Sequence, residues 1–391
     1  MERTEAVIVA YGRSPVAKGN KAGGLRGVHP ADFGAQVLRG VLARVPQLDW
    51  SDIEDVVVGC AMPEASQGMN LARIVAQRAQ LPDQVPGQTI NRFCSSGLQA
   101  IATAANAIMA GQAQVMVAGG VESMSAVPMG GHLKVPDPWL AEHRPSVYYP
   151  MGVTAELVAD RWGVTREEMD AMAVESHRRA AAAQAAGRFD GEIVPVTGQD
   201  FGGAPRTLTR DEGVRPETSL EVLSTLKTPF REEGRVTAGT SSQVSDGAGF
   251  VVLMSRAKAL SLGLRPMARF IAFAVAGVDP AVMGIGPTKA VPKVMQLSGL
   301  RVADMDVVEL NEAFAAQAIP CMRELGLDPA KTNPNGGALA LGHPLGATGA
   351  ILTCKVLSEL ERRGGRYGLV TMCIGGGMGA AGIVERLDES N

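Results

Sequence analysis

Aromatic residues are scarce in this chain of 391 residues, in which Phe, Tyr and Trp together make up 4%. Long apolar runs are lacking too. The N-terminal strand pattern at residues 6–10 is far too short for a membrane span or for the apolar core of a secretory signal. The formal net charge of -3 gives no general attraction to nucleic acid or to an anionic membrane. We therefore expect a cytoplasmic protein without nucleic-acid or membrane partners.

Cysteine pairs and histidine clusters are also lacking. The chain has five cysteines, an odd number, and none forms a C-x-x-C pair, which favours free thiols in a reducing compartment. Its five histidines are scattered along the chain without H-x-x-x-H spacing. We therefore expect no structural zinc and no other metal site.

What the chain does contain is a repeated α/β pattern interrupted by a long excursion. Strand and helix patterns alternate up to about residue 120, which predicts a mostly parallel sheet covered by helices on both faces. The string A-D-M-D-V-V near residue 305 echoes S-D-I-E-D-V-V near residue 55, which indicates an internal duplication. We predict an N-terminal half (1–124 plus 246–267), an inserted substrate-binding loop lobe (125–245) and a C-terminal half (268–391).

A cysteine marks the most informative turn of the first half. Residues 91–97 read N-R-F-C-S-S-G, with an extended pattern before them and an alanine-rich helical pattern after them. Cys94 should therefore lie at the N-terminus of a buried helix, where free N–H groups and the helix dipole favour the thiolate, which is the reactive form. The alternative is that Cys94 is a small buried core residue, the ordinary role of a free cysteine.

Three further loops carry chemically useful side chains after strand patterns. Asn311 begins N-E-A-F-A, His343 lies within the glycine-rich string G-G-A-L-A-L-G-H-P-L-G-A-T-G, and Cys373 begins C-I-G-G-G-M-G. Each has an ordinary alternative: a helix cap for Asn311, a turn histidine for His343 and a core position for Cys373. If the two halves are duplicated, loops at the carboxyl ends of both sheets should meet at one site.

Taken together, six strings resemble the thiolase family in their order along nearly the whole chain. They are N-R-F-C-S-S-G, G-G-V-E-S, V-T-A-G-T-S-S-Q-V-S-D-G, N-E-A-F-A, N-G-G-A-L-A-L-G-H-P-L-G-A-T-G and C-I-G-G-G-M-G. The resemblance implies a five-layered α-β-α-β-α core made of two duplicated βαβ halves with an inserted loop lobe. It also implies assembly as a homodimer or homotetramer.

The resemblance also assigns chemical roles to five residues. Cys94 would be the acyl-accepting nucleophile, His343 would take its proton, and Cys373 would be the second acid and base. His343, and Asn311 through a water, would stabilise the enolate of acetyl-CoA that forms in the reaction. The backbone N–H groups of Cys94 and Gly375 would stabilise the tetrahedral intermediates.

The co-substrate implied by the resemblance is CoA, with no tightly bound cofactor. Ser242 would bind the pantetheine arm and Arg215 would lie near the nucleotide. The residues implied to line the acyl and pantetheine channel are Met151, Phe230, Met283 and Phe314. Met and Phe in such loops are also ordinary core residues.

One difference from a branch of the family bears on which thiolase subtype the chain resembles. Biosynthetic acetoacetyl-CoA thiolases commonly have His before the Met-Gly pair, where this chain has Pro150. With T-S-S-Q-V-S-D-G, this favours a 3-ketoacyl-CoA thiolase of β-oxidation over an acetoacetyl-CoA-specific enzyme. For such a thiolase, other enzymes of β-oxidation are expected partners. Further alternatives are a ketosynthase-like condensing enzyme, a Cys-His-Asn hydrolase and a non-catalytic thiolase-like lipid carrier.

Overall fold

A computed structural model describes residues 4–200 and 202–388 of the chain. The predicted halves and lobe also include residues 1–3, 201 and 389–391, which lie outside the described residues. Within the described part, the strands in chain order are β1 (Ala6–Arg13), β2 (Ala17–Lys18), β3 (Asp55–Gly59), β4 (Gly87–Ile90), β5 (Val115–Ser123), β6 (Val196–Gln199), β7 (Pro205–Leu208), β8 (Ser245–Ser255), β9 (Ala268–Gly277), β10 (Val307–Leu310), β11 (Tyr367–Ile374) and β12 (Met378–Arg386).

The same residues also form the helices that cover the strands. In chain order they are α1 (Pro30–Leu42), α2 (Leu71–Arg78), α3 (Ser96–Met109), α4 (Pro138–His143), α5 (Met151–Trp162), α6 (Arg166–Ala185), α7 (Leu220–Ser224), α8 (Arg256–Ser261), α9 (Pro287–Ser298), α10 (Ala315–Leu325), α11 (Ala338–Leu341) and α12 (Leu345–Arg363). None of the helices in residues 4–200 and 202–388 combines the length and the apolar character that a bilayer span needs.

Two half-sheets meet at a narrow junction. The hydrogen-bonded strand order is β10-β11-β12-β9-β1-β8-β5-β3-β4, and β2 pairs with β8 beside this path. At the junction, β1 and β9 pair through only Val7 with Arg269 and Ile8 with Ala268. The path therefore divides into an N-terminal half-sheet ending at β1 and a C-terminal half-sheet beginning at β9.

The prediction of a mostly parallel sheet is wrong, because the sheet is mixed. Parallel pairing is confined to β3 with β4, β3 with β5 and β10 with β11 among the described strands, whereas β8 runs antiparallel to both β1 and β5. β11 and β12 form an antiparallel hairpin around Gly375, Gly376 and Gly377. A turn this short permits only antiparallel pairing, and Gly376 and Gly377 have φ of +79° and +86°, which glycine adopts readily.

Five layers follow from the way the helices cover the half-sheets. α3 and α12 share one buried apolar cluster with strands of both half-sheets, so they form the middle layer. α1 and α2 cover the outer face of the N-terminal half-sheet, and α9 and α10 cover the outer face of the C-terminal one. This is the predicted α-β-α-β-α order, and it encloses apolar surface on both faces of each half-sheet.

The two echoing strings occupy equivalent positions in the two halves. The first forms a 3₁₀ turn at Trp50–Asp52 followed by β3, and the second forms one at Val302–Asp304 followed by β10. Between the halves, residues 125–245 contain α4 to α7 and the small β6–β7 sheet. The string T-R-E-E at residues 165–168 forms a capping box at the start of α6, where the Thr165 side chain accepts from the backbone N–H of Glu168 and Glu168 accepts from that of Thr165.

Candidate active site

The N-termini of the two middle helices lie against each other. Cys94 lies in a 3₁₀ turn directly before α3, and His343 lies just before α12. A Cβ added to Gly97 would lie 2.8 Å from the backbone N of Ala350, and one added to Gly349 would lie 2.3 Å from that of Leu98. Glycine at both positions therefore allows the backbones to touch, which brings the cysteine turn to the histidine loop.

Local side chains explain why the cysteine turn has its shape. The Asn91 side chain accepts a hydrogen bond from the Phe93 N–H at 2.8 Å, and the Ser96 hydroxyl accepts one from the Arg92 N–H at 2.8 Å. Phe93, just before Cys94, has φ of +44°, an unfavourable conformation for a residue with a side chain. The polar residues of N-R-F-C-S-S-G thus stabilise a strained turn that presents Cys94.

Strand pairing brings Asn311 and Cys373 to the same edge of the C-terminal half-sheet. Leu310 of β10 pairs in parallel with Thr371 of β11, and the Asn311 N–H donates to the Thr371 carbonyl at 2.9 Å. α10 begins only at Ala315, so Asn311 does not cap that helix. Cys373, near the end of β11, is fully buried.

The glycine hairpin after Cys373 reaches the Cys94 sulfur. The backbone N–H groups of Gly375 and of Cys94 itself lie close enough to this sulfur to lower the pKa of the thiol. A Cβ at Gly375 would lie 3.5 Å from the Met151 sulfur and 4.0 Å from the Phe93 ring. The Cys94 sulfur also raises the pKa of the Cys373 thiol, whose pKa is raised mainly by burial. The two thiols, one from each half, therefore belong to one site.

The prediction that the helix N-terminus favours the Cys94 thiolate is wrong for the free protein. Burial raises the pKa of Cys94 to about 11, and the two backbone N–H groups lower it only in part. Burial lowers the pKa of His343 to about 4. Both groups are thus neutral near pH 7, because the free-energy cost of desolvating the charged form exceeds the stabilisation that nearby dipoles provide.

His343 is oriented by contacts on both ring nitrogens. Its Nδ1 lies 2.6 Å from the Thr348 hydroxyl, and its Nε2 lies 3.4 Å from Nδ2 of Asn311. His343 and Asn311 are 4% and 1% exposed, and Oδ1 of Asn311 has no partner among the described residues. A neutral imidazole with one nitrogen held by a hydroxyl is able to accept or donate a proton at the other.

Sequence reasoning missed Thr348 and two buried carboxylates beside the site. Glu122 accepts hydrogen bonds from the Ala61 N–H at 2.7 Å and the Gly346 N–H at 2.8 Å, which ties the start of α12 to the loop after β3. Glu312 accepts from Ser176 of α6 at 2.7 Å. The available signal was a charged residue inside otherwise small or apolar strings, G-G-V-E-S and N-E-A-F-A, because an acid there must be hydrogen-bonded.

The structure gathers the four predicted channel residues beside Cys373. Met283 and Phe314 are buried in the same apolar cluster as Cys373, and Met151 and Phe230 pack against it from the lobe side. The Phe230 and Phe314 rings meet edge-on, with centroids 6.2 Å apart. These side chains therefore pack as core residues and also form an apolar wall beside the Cys373 thiol.

The two remaining predicted residues, Ser242 and Arg215, lie in segments beside Phe314 and the histidine loop. The Ser242 N–H donates to the Ala313 carbonyl at 2.9 Å, next to Phe314. Arg215 is exposed, and its guanidinium lies 3.4 Å from the side-chain oxygen of Gln243. The Gln243 carbonyl accepts from the His343 N–H at 3.2 Å, so both segments flank the histidine loop. No group of three or more His, Cys, Asp or Glu side chains suited to a metal ion occurs within residues 4–200 and 202–388.

The raised pKa of Cys94 has a measurable consequence for its reactivity. We expect alkylation of Cys94 by iodoacetamide to accelerate about tenfold per pH unit from about pH 6 to about pH 9, because the thiolate is the reacting form. Mass spectrometry of the labelled peptide would measure the rate, and the other four cysteines, all buried, serve as internal controls. A rate that levels off near neutral pH would contradict the assignment of a neutral resting thiol.

Comparison with known proteins finds the same family along both halves. A family model for the thiolase N-terminal domain matches residues 6–257, and one for the thiolase C-terminal domain matches residues 264–386. A 3-ketoacyl-CoA thiolase of Bacillus subtilis (strain 168) is 52% identical over 97% of this chain and 99% of its own length. A peroxisomal 3-ketoacyl-CoA thiolase 2 of Arabidopsis thaliana is 47% identical over 98% of this chain and 84% of its own. A crystal structure of the Bacillus anthracis acetyl-CoA acetyltransferase superposes with a TM-score of 0.90 at 40% identity, covering 98% of this chain and 99% of that one.

Proposed function

This chain belongs to the thiolase family of acyltransferases, and on that premise we propose that Cys94 is the nucleophile with which it cleaves 3-ketoacyl-CoA. The products are acetyl-CoA and an acyl-CoA shortened by one acetyl unit, and the reverse reaction is a Claisen condensation. The observation that carries the proposal is the meeting of the two cysteine loops from opposite halves: Gly375, two residues after Cys373, lies against the Phe93 ring next to Cys94, and its N–H lowers the pKa of the Cys94 thiol. A reaction that breaks a carbon–carbon bond needs both a nucleophile and a separate acid.

The first half-reaction transfers the acyl group to the enzyme. As the Cys94 sulfur attacks the 3-keto carbon, its proton passes to Nε2 of the neutral His343, and a carbon–sulfur bond forms. The bond between the 2- and 3-carbons then breaks, and its electron pair goes to the enolate of acetyl-CoA. Cys373 protonates the enolate carbon, so that neutral acetyl-CoA leaves.

The second half-reaction returns the protons. Free CoA gives its thiol proton to the Cys373 thiolate and attacks the acyl group on Cys94. The carbon–sulfur bond to Cys94 breaks, and His343 gives its proton back to that sulfur. CoA is thus a co-substrate, and no step requires a tightly bound cofactor.

Two groups of donors would stabilise the charged oxygens of these steps. The N–H groups of Cys94 and Gly375 lower the pKa of the Cys94 thiol, which supports a position beside a tetrahedral carbon bonded to that sulfur. His343, and Asn311 through a water, would stabilise the enolate oxygen. Loss of one such donor typically costs on the order of 10²–10³ in rate.

The arrangement around Cys373 supports a binding channel for the acyl and pantetheine parts of the substrate. Met151, Phe230, Met283 and Phe314 would line the acyl and pantetheine channel, with Ser242 beside it. Arg215, exposed at the outer end, would lie near the nucleotide phosphates. The apolar wall supports a channel for a hydrocarbon chain, and the exposed cation supports binding of the anionic end.

The subtype is supported by the relatives' names. The Bacillus subtilis and Arabidopsis thaliana relatives, at 52% and 47% identity, are named 3-ketoacyl-CoA thiolases, whereas the Bacillus anthracis structure, named an acetyl-CoA acetyltransferase, is 40% identical. We propose that the chain acts in β-oxidation, as a cytoplasmic homodimer or homotetramer. The bacterial relative supports the cytoplasm, whereas the plant relative is peroxisomal.

A thiolysis assay over a range of chain lengths tests this function directly. Purified protein and free CoA are given 3-ketoacyl-CoAs from acetoacetyl-CoA to long chains, and we expect turnover well beyond acetoacetyl-CoA. Turnover of acetoacetyl-CoA alone would indicate the biosynthetic enzyme instead. Cleavage that needs no CoA would indicate a hydrolase, turnover only of carrier-protein thioesters a condensing enzyme, and binding without turnover a lipid carrier.

A further inference from the structure

A lysine is buried in the middle helix α12, ten residues after its first residue. The Lys355 side chain is 1% exposed, and its ammonium group lies 2.7 Å from the Glu309 carboxylate and donates to the Gly336 carbonyl at 2.7 Å. Lysine is almost never buried this completely unless it is paired. Because desolvating an ammonium group is expensive, this arrangement is unlike ordinary core packing.

The two acceptors of Lys355 belong to the two segments that carry Asn311 and His343. Glu309 is in β10, two residues before Asn311. Gly336 lies in the loop of residues 333–337, which leads through α11 to His343. A single ammonium group thus connects the strand of one site residue with the loop of the other.

The loop is also hydrogen-bonded directly to the strand. Asn333 accepts from the Leu310 N–H at 2.9 Å and donates to the Leu310 carbonyl at 2.8 Å. On the other side, Asn335 donates to the Glu359 carboxylate of α12 at 2.9 Å. Lys355 lies between these two ties and provides the only cation in hydrogen-bond contact with Glu309 among the described residues.

We propose that Lys355 is a positioning residue for the thiolase reaction: through Glu309 and Gly336 it sets the placement of Asn311 relative to His343. The inference rests on the proposed function, because only in that reaction do these two side chains share the enolate oxygen. Their side chains lie 3.4 Å apart, and both segments are closely packed, so displacement of the loop moves His343 away from Asn311. A misplacement of about 1 Å is enough to reduce a rate by about a hundredfold.

The charges around the pair make its two partners interdependent. Glu309 is fully buried, its Oε1 has no partner among the described residues, and the carboxylates of Glu192 and Glu312 add to the negative potential there. Removing Lys355 alone therefore leaves an unpaired buried carboxyl group, and removing Glu309 alone leaves an unpaired ammonium. Breaking one partner of a buried pair is more destabilising than replacing both.

This asymmetry gives an experiment that separates positioning from folding. The variants are Lys355→Met, Glu309→Gln and the double variant Glu309→Gln/Lys355→Met, which contains no unpaired charge at this position. Lys293→Met is the matched control, since Lys293 of the outer helix α9 also donates to a backbone carbonyl, that of Val275 at 3.0 Å, and contacts neither β10 nor the loop of residues 333–337 through this bond. Melting temperature, thiolysis kcat, KM for CoA and the alkylation rate of Cys94 are measured for each.

We expect Lys355→Met to lower both the melting temperature and kcat, the latter by roughly ten- to a hundredfold, with KM for CoA within about twofold. The double variant should regain most of the melting temperature but keep the low kcat, because the tie to Gly336 is still missing. Cys94 alkylation should remain close to wild type in the double variant, since the cysteine turn belongs to the other half. Lys293→Met should retain wild-type kcat.

Two results would overturn the inference. Wild-type kcat in Lys355→Met or in the double variant would show that the pair does not place the reacting side chains. Failure of the double variant to fold would give the pair a role in the fold alone. An inactive wild-type protein would instead contradict the proposed function, so the two failures are distinguishable.

Discussion

Replacing Cys94 by alanine is expected to abolish thiolysis, with kcat reduced by at least about 10⁴-fold, while the fold is retained. Alanine removes the sulfur that is proposed to accept the acyl group, and Cys373 cannot replace it because its proposed role is the acid of the same step. The retained backbone N–H groups of residue 94 and Gly375 cannot compensate, since they stabilise an adduct that no longer forms. Steady-state thiolysis and intact-protein mass spectrometry after mixing with substrate measure the two losses.

The matched control for this change is Cys354→Ala. Cys354 is equally a cysteine of the middle layer, but it is fully buried in α12 among apolar side chains. We expect this variant to lose some stability through the small cavity and to keep its kcat. Full turnover in Cys94→Ala, or equal loss of activity in both variants, would refute Cys94 as the nucleophile.

Replacing Cys373 by alanine is expected to separate the two chemical tasks of the site. Carbon–carbon cleavage and condensation should fall by about 10²–10⁴-fold, because the enolate then lacks its proton donor and acceptor. Acetylation of Cys94 by acetyl-CoA should persist, since there the leaving group is a CoA thiolate, which is stable enough near neutral pH to depart without a proton from Cys373. Thiolysis rates are compared with the incorporation of labelled acetyl groups into the protein.

Cys373→Ser is the matched companion to this variant. A hydroxyl keeps the shape of the thiol but has a far higher pKa, so we expect a large loss of cleavage with acetylation again retained. Unchanged cleavage in either variant would remove the second thiol from the mechanism and favour a Cys-His-Asn hydrolase. Loss of acetylation as well would show that Cys373 acts on Cys94 rather than on the substrate carbon.

Much of the fold could be predicted because its signals are local. The helix after Cys94 and the capping box at Thr165 follow from spacing and residue type alone, and both are present. The orientation of β8 could not be predicted in this way, because a long excursion can return to the sheet in either direction. Its antiparallel insertion between β1 and β5 turned an expected parallel sheet into a mixed one.

The candidate site shows the same division. Its side chains could be selected from short strings, because each follows a strand pattern or precedes a helix and resembles the thiolase motif at that position. The partners of those side chains could not: Thr348 with His343, Glu122 with Gly346 and Lys355 with Gly336 are contacts between side chains and loops that pattern does not encode. The protonation state of Cys94 was predicted in the wrong direction for a related reason, since the helix N-terminus is visible in the sequence and the surrounding burial is not.

By itself the sequence determined the family and the shared strand–helix order of the two halves, and it selected the two thiols, the imidazole and the amide that are proposed as the site. Those properties depend on residue type and on spacing over a few residues. Only the tertiary structure decided that the loops of the two thiols meet, that burial leaves Cys94 and His343 neutral near pH 7, and that a buried lysine connects the segments of Asn311 and His343. These depend on distances between residues far apart in the chain and on exclusion of water, and both arise when the middle helices pack at Gly97 and Gly349.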